Sequence, residues 1–182
     1  GRPVGYKLVP GSNAFDANGL YLDQWGQEGT ADGEFGFPVG LAVDSSGDVY
    51  VTDTLAHEVQ KFDGDGNHLA TWGTSGSGDG ELDGPNGITV SPDGRVYVVD
   101  TENHRIQEFT DTGTFVTTWG SFGSGDGELS FPWSAAIDAA GRLIVTDSAN
   151  DRLQMFGADG NHLTTWGSTG TGTGQFTFAT GV

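Results

Sequence analysis

The sequence predicts an all-β protein built from four-stranded antiparallel sheets, and three observations predict it. Anchors return every 47 residues: Trp25, Trp72, Trp119 and Trp166; Phe15, Phe62, Phe109 and Phe156; Gly19, Gly66, Gly113 and Gly160. No insertion breaks this register, and periods of 20–50 residues mark stacked or radial repeats. Each period also holds four short runs rich in Val, Ile, Tyr and Thr, which suit a pleated, half-buried surface. Finally, there are 32 glycines against only 6 prolines, as expected of many strands joined by tight turns.

The first strand of the period is "GLAVD" (40–44), matched by "GITVS" (87–91) and "SAAID" (134–138). The second is "DVYVTD" (48–53), matched by 95–100 and 142–147. The third is "HEVQKF" (57–62), matched by "HRIQEF" (104–109) and "DRLQMF" (151–156). The fourth is "HLATWG" (68–73), matched by 115–120 and 162–167. The turns "DSSGD", "SPDGR" and "DAAGR" join the first two strands, and Asp/Asn-Gly precedes the fourth. Such a sheet is apolar on both faces and needs a neighbour on each. Radial stacking into a propeller satisfies that need, and so does a linear solenoid.

Residues 35–73, 82–120 and 129–167 give three complete units of a single domain over 1–182. Residues 13–26 supply the last two strands of an earlier unit, and "VGYKLV" (4–9) reads as a degenerate second strand. "FTFATGV" (176–182) begins a first strand. The terminal strands 4–26 and 176–182 are therefore expected to form a fourth, composite blade. The alternatives are a piece of a larger ring, or open edges that pair with another copy and build an oligomer or filament.

The tripeptides Asn67-His68-Leu69 and Asn161-His162-Leu163 stand among "FPVGLAVDSSGDVYVTDT", "HRIQEF" and "GNHL". Together these resemble the NHL-repeat family over nearly the whole chain. The resemblance implies a β-propeller, with about four blades here against about six in common members. Some relatives of this kind are enzymes, including zinc-binding peptide-amidating lyases and strictosidine-synthase-like proteins. Their metal ligands are unique histidines near the channel, whereas His57, His68, His104 and His162 all fall at repeated positions and read as structural.

Composition narrows the partners. The net charge is −18 although charged residues make up only 18% of the chain. The imbalance is a shortage of base: only seven Lys and Arg are present. Such a surface repels nucleic acid, which argues against the RNA binding known for some NHL domains. It fits an acidic extracellular protein, or one from a saline source whose melting temperature rises in molar KCl as its self-repulsion is screened. With no Cys, disulfides, thiolate metal sites and cysteine nucleophiles are excluded. No apolar run approaches the ~18–20 residues of a membrane span. The first residue is Gly rather than Met, which fits a processed or excised chain.

Positions that differ between repeats are the candidates for function. The residues after Phe37-Pro38, Gly84-Pro85 and Phe131-Pro132 are Val39, Asn86 and Trp133, with Thr180 next in register. In a propeller they sit at the mouth of the central channel, where Trp133 can stack on a ligand or anchor a partner. The loops between units carry Asp32 and Glu34, Asp79 and Glu81, and Asp126 and Glu128. These are paired carboxylates of the type that Ca²⁺ takes, although they suit a solvated rim as well. Asp53, Asp100 and Asp147, each followed by Thr or Ser, read as turn caps, with Arg105 and Arg152 as ion-pair partners for the latter two. "DGDGN" (63–67) spaces oxygens like a calcium loop. However, His68 and Thr74 stand where an EF-hand needs Gly and Glu, so the stretch reads as a hairpin turn.

The expected function is a non-catalytic binding or assembly module for a protein or glycan, with no resident cofactor. The alternative is a metal-assisted hydrolase or lyase using Asp44, Asp138 and a divalent cation. No Ser-His-Asp triad, P-loop or H-E-x-x-H motif is present.

Overall fold

The computed structural model describes residues 26–182 and, of the first 25 residues, the backbone of β1 (Gly5–Lys7), β2 (Ser12–Phe15) and β3 (Tyr21–Trp25). These three form one antiparallel sheet in chain order. A short parallel pair follows, β4 (Gln27–Glu28) and β5 (Glu34–Phe35). Three four-stranded antiparallel meanders come next. Blade 1 holds β6 (Pro38–Val43), β7 (Val49–Asp53), β8 (Glu58–Phe62) and β9 (His68–Trp72). Blade 2 holds β10 (Pro85–Val90), β11 (Val96–Asp100), β12 (Arg105–Phe109) and β13 (Phe115–Trp119). Blade 3 holds β14 (Pro132–Ile137), β15 (Leu143–Asp147), β16 (Arg152–Phe156) and β17 (His162–Trp166). All three lie within the limits drawn from the repeat.

The first strand of each blade starts at a proline, where no ladder donor is needed. Its register then shifts before the pairing resumes, between Pro38 and Leu41 and at the same place in the other two blades. Strands end at tight turns with glycine at positive φ. Gly66, Gly113 and Gly160, at +85°, +83° and +77°, turn the third strand into the fourth. At Asp63 the carboxylate accepts the N–H groups of Asp65 and Asn67 and the side-chain amide of Asn67. "DGDGN" is thus a turn closed by its own aspartate.

At the chain ends, β1–β3 form a three-stranded sheet of their own. Phe176 bridges Thr169, as Leu82 bridges Ser75 and Leu129 bridges Phe122, but residues 177–182 form no strand and join no sheet. A strand without a partner leaves its ladder groups to water, and nothing holds it extended. Residues 4, 8–11 and 16–20 of the expected blade, Gly19 among them, lie outside the described residues, as do the side chains of Phe15 and Trp25.

The core lies between blades. Tyr50 and Val59 of blade 1 pack with Leu82, Ile88, Val96, Val98 and Phe109 of blade 2. Trp72 closes this junction, with its ring 6.2 Å from Tyr50 and 6.1 Å from Phe109. Tyr97, Val99, Ile106 and Trp119 repeat the arrangement against Leu129, Ala135, Leu143, Val145 and Phe156 of blade 3. Each aromatic sealed this way contributes about 1.5–3 kcal/mol. Every residue of β7 and β11 is buried, which is why the second strand is the most apolar run of the period.

Candidate functional site

A buried polar cluster in each blade shapes the face that carries the inter-blade loops. Gln107 lies in the middle of β12 and is fully buried. Its Oε1 accepts the Gly80 N–H at 2.9 Å, and its Nε2 donates to the Glu81 carbonyl and to Asp100. Gln154 does the same with Gly127, Glu128 and Asp147, and Gln60 binds Gly33 and Glu34 in blade 1. Asp100 also takes the Arg105 guanidinium at 2.7 Å, and Asp147 takes that of Arg152. Both arginines extend to three loop carbonyls. The expected Asp–Arg pairs are therefore present. The glutamines were visible in the sequence as an invariant Gln in the third strand, but their partners lie 26–27 residues away.

In blade 1 Glu58 stands where the other blades have arginine. Burial pushes its carboxyl above the usual range, and the nearby Asp53 adds to this against a hydrogen bond from Gln60. Asp53 instead accepts backbone N–H groups from Gly36, Phe37 and Ala56. The hydroxyls that follow the strand-end aspartates do not cap turns. Thr54, Thr101 and Ser148 donate across the junction to the carbonyls of Pro85, Pro132 and Ala179. A second link crosses beside them. Nδ1 of His57 accepts the Gly84 N–H, Nδ1 of His104 accepts that of Phe131, and Asp151 accepts that of Phe178. Each blade thus latches onto the start of the next. His68 and His162 hold Thr71 and Thr165 at 2.7 and 2.8 Å and rest edge-on against Phe62 and Phe156.

Five of the six rim carboxylates bond within the protein itself. Glu34 binds the N–H groups of Thr30 and Ala31 and the amide of Gln27. The Gln27 bond, followed by the Ala31 N–H, holds its carboxyl below the usual range. Glu81 accepts from Gly78, and Glu128 from Gly125. Gln175 makes the same bond to Gly172 without a charge, so the position needs an acceptor rather than an anion. Asp32 and Asp126 bind Thr71 and Thr165. Asp79 lacks this contact because Phe115 replaces the histidine of that blade. Among the described residues no three His, Cys, Asp or Glu side chains converge as a metal site.

Asp44 and Asp138 are corrected from channel ligands to turn residues. Asp44 accepts the N–H groups of Ser46 and Asp48 and the Tyr50 hydroxyl. Asp138 accepts those of Ala140 and Arg142 and pairs with the Arg142 guanidinium. The bonds from Arg142 keep its carboxyl below the usual range. Both stand at the far end of the first strand from Trp133.

The mouth residues do come together. Val39, Gly40, Asn86, Gly87, Trp133, Ser134 and Thr180 line one open cavity of about 140 Å³. First strands crowd here: a Cβ at Gly40 would collide with the Asn86 carbonyl and one at Gly87 with that of Trp133. Asn86 is buried, donating to Thr101 and accepting from Thr54, so its amide builds the wall. Trp133 is partly exposed and meets Phe178 edge-on at 6.5 Å. Around the mouth, Phe37, Phe131 and Phe178 occupy one repeat position and all stand exposed.

Repeated four-stranded sheets packed face to face, with their first strands converging on one cavity, define a β-propeller. The NHL-repeat profile matches residues 35–62, 82–109 and 129–156, and the chain belongs to the NHL-repeat family. No curated protein sequence matches it. Among solved structures, a streptogramin B lyase superposes with a TM-score of 0.66 at 18% identity, over 86% of this chain and 47% of that one. A catalytically inactive virginiamycin B lyase from Staphylococcus aureus with quinupristin gives 0.64 at 16%, over 90% and 55%. A protein of unknown function from Bacteroides caccae gives 0.64 at 15%, over 93% and 58%. At these identities the likeness shows the fold alone. The chain spans about half the length of the structures it matches. No helix among the described residues is long and apolar enough to cross a membrane.

Proposed function

We propose that this chain is a non-catalytic binding or assembly module that takes a protein or glycan at the channel mouth, with Trp133 as anchor and Val39 and Asn86 as wall. One observation carries the reading: the polar groups of Asn86 are consumed within the protein, while the Trp133 ring stays partly exposed at the cavity beside the exposed Phe178. Trp133, beside Phe178, offers a large contact area at small conformational cost, the usual make-up of an interface anchor. Panels of immobilised glycans and peptides, probed with the wild type and with Trp133→Ala, test this. The variant is expected to bind at least tenfold more weakly with an unchanged melting temperature. Undiminished binding removes Trp133 from the proposal.

The second reading, a metal-assisted hydrolase or lyase, draws on the shared fold with the two lyases. Turnover of quinupristin by this chain, abolished by EDTA and restored by a divalent cation, would establish it. Self-association has its own support. Ile144 and Leu153 of blade 3 are partly exposed, whereas their equivalents Tyr97 and Ile106 are sealed by the next blade. This face suits a further blade from the same chain or from a second copy. Light scattering tests it: a monomeric mass at every concentration removes the second copy.

A further inference from the structure

The face around the mouth is not uniform, and its irregularity identifies a partner chemistry. We infer that it docks a cationic polypeptide segment, with Arg or Lys over blade 2 and flanking apolar side chains on the aromatics of blades 1 and 3. This rests on the binding-module reading above and specifies its partner.

Blade 1 presents Phe37 and Leu55, exposed by 57% and 67%. Blade 3 presents Phe131 with Phe122, which is 69% exposed. His104 is held between these two rings, 4.8 Å from Phe122 and 4.6 Å from Phe131. Phe131 keeps a φ of +46° where blade 2 has Gly84, so an exposed ring is retained in a left-handed conformation that disfavours it. Exposed aromatic clusters of this kind mark interaction surfaces.

Blade 2 breaks the apolar row with acid. Gly84 replaces the phenylalanine, and Glu102 leans over it, its Cγ 3.0 Å from where a Cβ on Gly84 would stand. Glu102 replaces Leu55 of blade 1 and Ala149 of blade 3. Asp83, at a position held elsewhere by Gly36, Ser130 and Thr177, is 46% exposed beside it. Among the described residues, neither acid has a Lys or Arg within ion-pair reach. The His57 Nδ1 near Asp83 accepts the Gly84 N–H and so presents a lone pair there. Carboxylates flanked by aromatic surface complement a guanidinium or ammonium on an apolar segment, and the charge of −18 steers such a segment inward.

The test pans a random heptapeptide phage library on the wild type, then measures the enriched peptides by fluorescence anisotropy. Peptides with Arg or Lys between apolar residues are expected. They should bind at least tenfold more weakly to Asp83→Asn with Glu102→Gln, and at least tenfold more weakly to Phe122→Ala with Phe131→Gly, both checked for an unchanged melting temperature. The charge-matched pair Asp65→Asn with Asp111→Asn, on turns at the opposite end of the blades, should bind as the wild type. Equal weakening by that control pair, or enriched peptides that are neutral or acidic, overturns the inference. If neutral peptides win and Trp133→Ala abolishes their binding, the cationic partner falls and the binding-module reading stands. If no peptide binds to millimolar concentration, the inference falls as well, and the glycan panel decides the broader reading.

Discussion

The Oε1 atom of Gln175 accepts the Gly172 N–H at 2.9 Å, in the place where Glu128 accepts the Gly125 N–H. One loop of the repeat thus keeps its closing bond without a carboxylate. Glu81→Gln with Glu128→Gln is therefore expected to change stability by less than about 0.5 kcal/mol. Thermal unfolding in EDTA and in millimolar Ca²⁺ should superpose for the wild type. A clear rise in melting temperature with Ca²⁺, lost in the double variant, would restore the rim carboxylates as a cation site.

Gln154→Leu is expected to be far more damaging. It orphans the Gly127 N–H, takes one of two donors from the Glu128 carbonyl, which keeps Arg152, and removes a donor from the fully buried Asp147. Leaving buried partners unmatched costs about 1–3 kcal/mol each, so a loss of at least ~2 kcal/mol should appear in urea unfolding. A loss below 0.5 kcal/mol would show that water replaces the amide.

Gly113 separates two reasons for a glycine. It has a φ of +83°, and a Cβ there would stand 2.6 Å from the Trp72 ring of the preceding blade. Gly94 has a similar φ of +87° with nothing within 4 Å. Gly94→Ala should therefore cost only the backbone strain, about 1 kcal/mol, and Gly113→Ala clearly more. Equal losses would mean that the Trp72 contact yields freely.

Glu58 sets a pH dependence. Its folded-state carboxyl is raised, by burial first and by Asp53 further, so it penalises the fold above its folded pKa. The penalty lifts as pH falls through that value. Glu58→Gln should accordingly stabilise the protein at pH 7 by no more than ~1 kcal/mol, since the group is partly exposed. The difference should vanish at acidic pH. A difference independent of pH would assign the effect to packing.

The sequence made some of this legible because period and packing coincide. Trp72 and Phe62 recur at 47 residues because each fills the same inter-blade gap, so spacing alone located blades and core. The mouth was legible for the same reason: Val39, Asn86, Trp133 and Thr180 share a register position and meet at one cavity. What escaped was pairing across the period. Gln107 looks like any polar strand residue until the Gly80 N–H is brought to it, and Thr101 looks like a cap until the Pro132 carbonyl arrives from the next blade. Asp44 and Asp138 were misplaced because strand order gives a direction along the channel, whereas a turn's hydrogen bonds decide where a carboxylate points.

His57, His104 and Asp151 have one further consequence. Each grips an amide hydrogen of its successor rather than a side chain. A latch that recognises only its neighbour's main chain carries no address, and it can close on any copy of the repeat. Duplication or loss of one 47-residue segment then leaves these latches intact, and the fit of the new joint is decided by the side chains packed across it, such as Trp72 against Phe109.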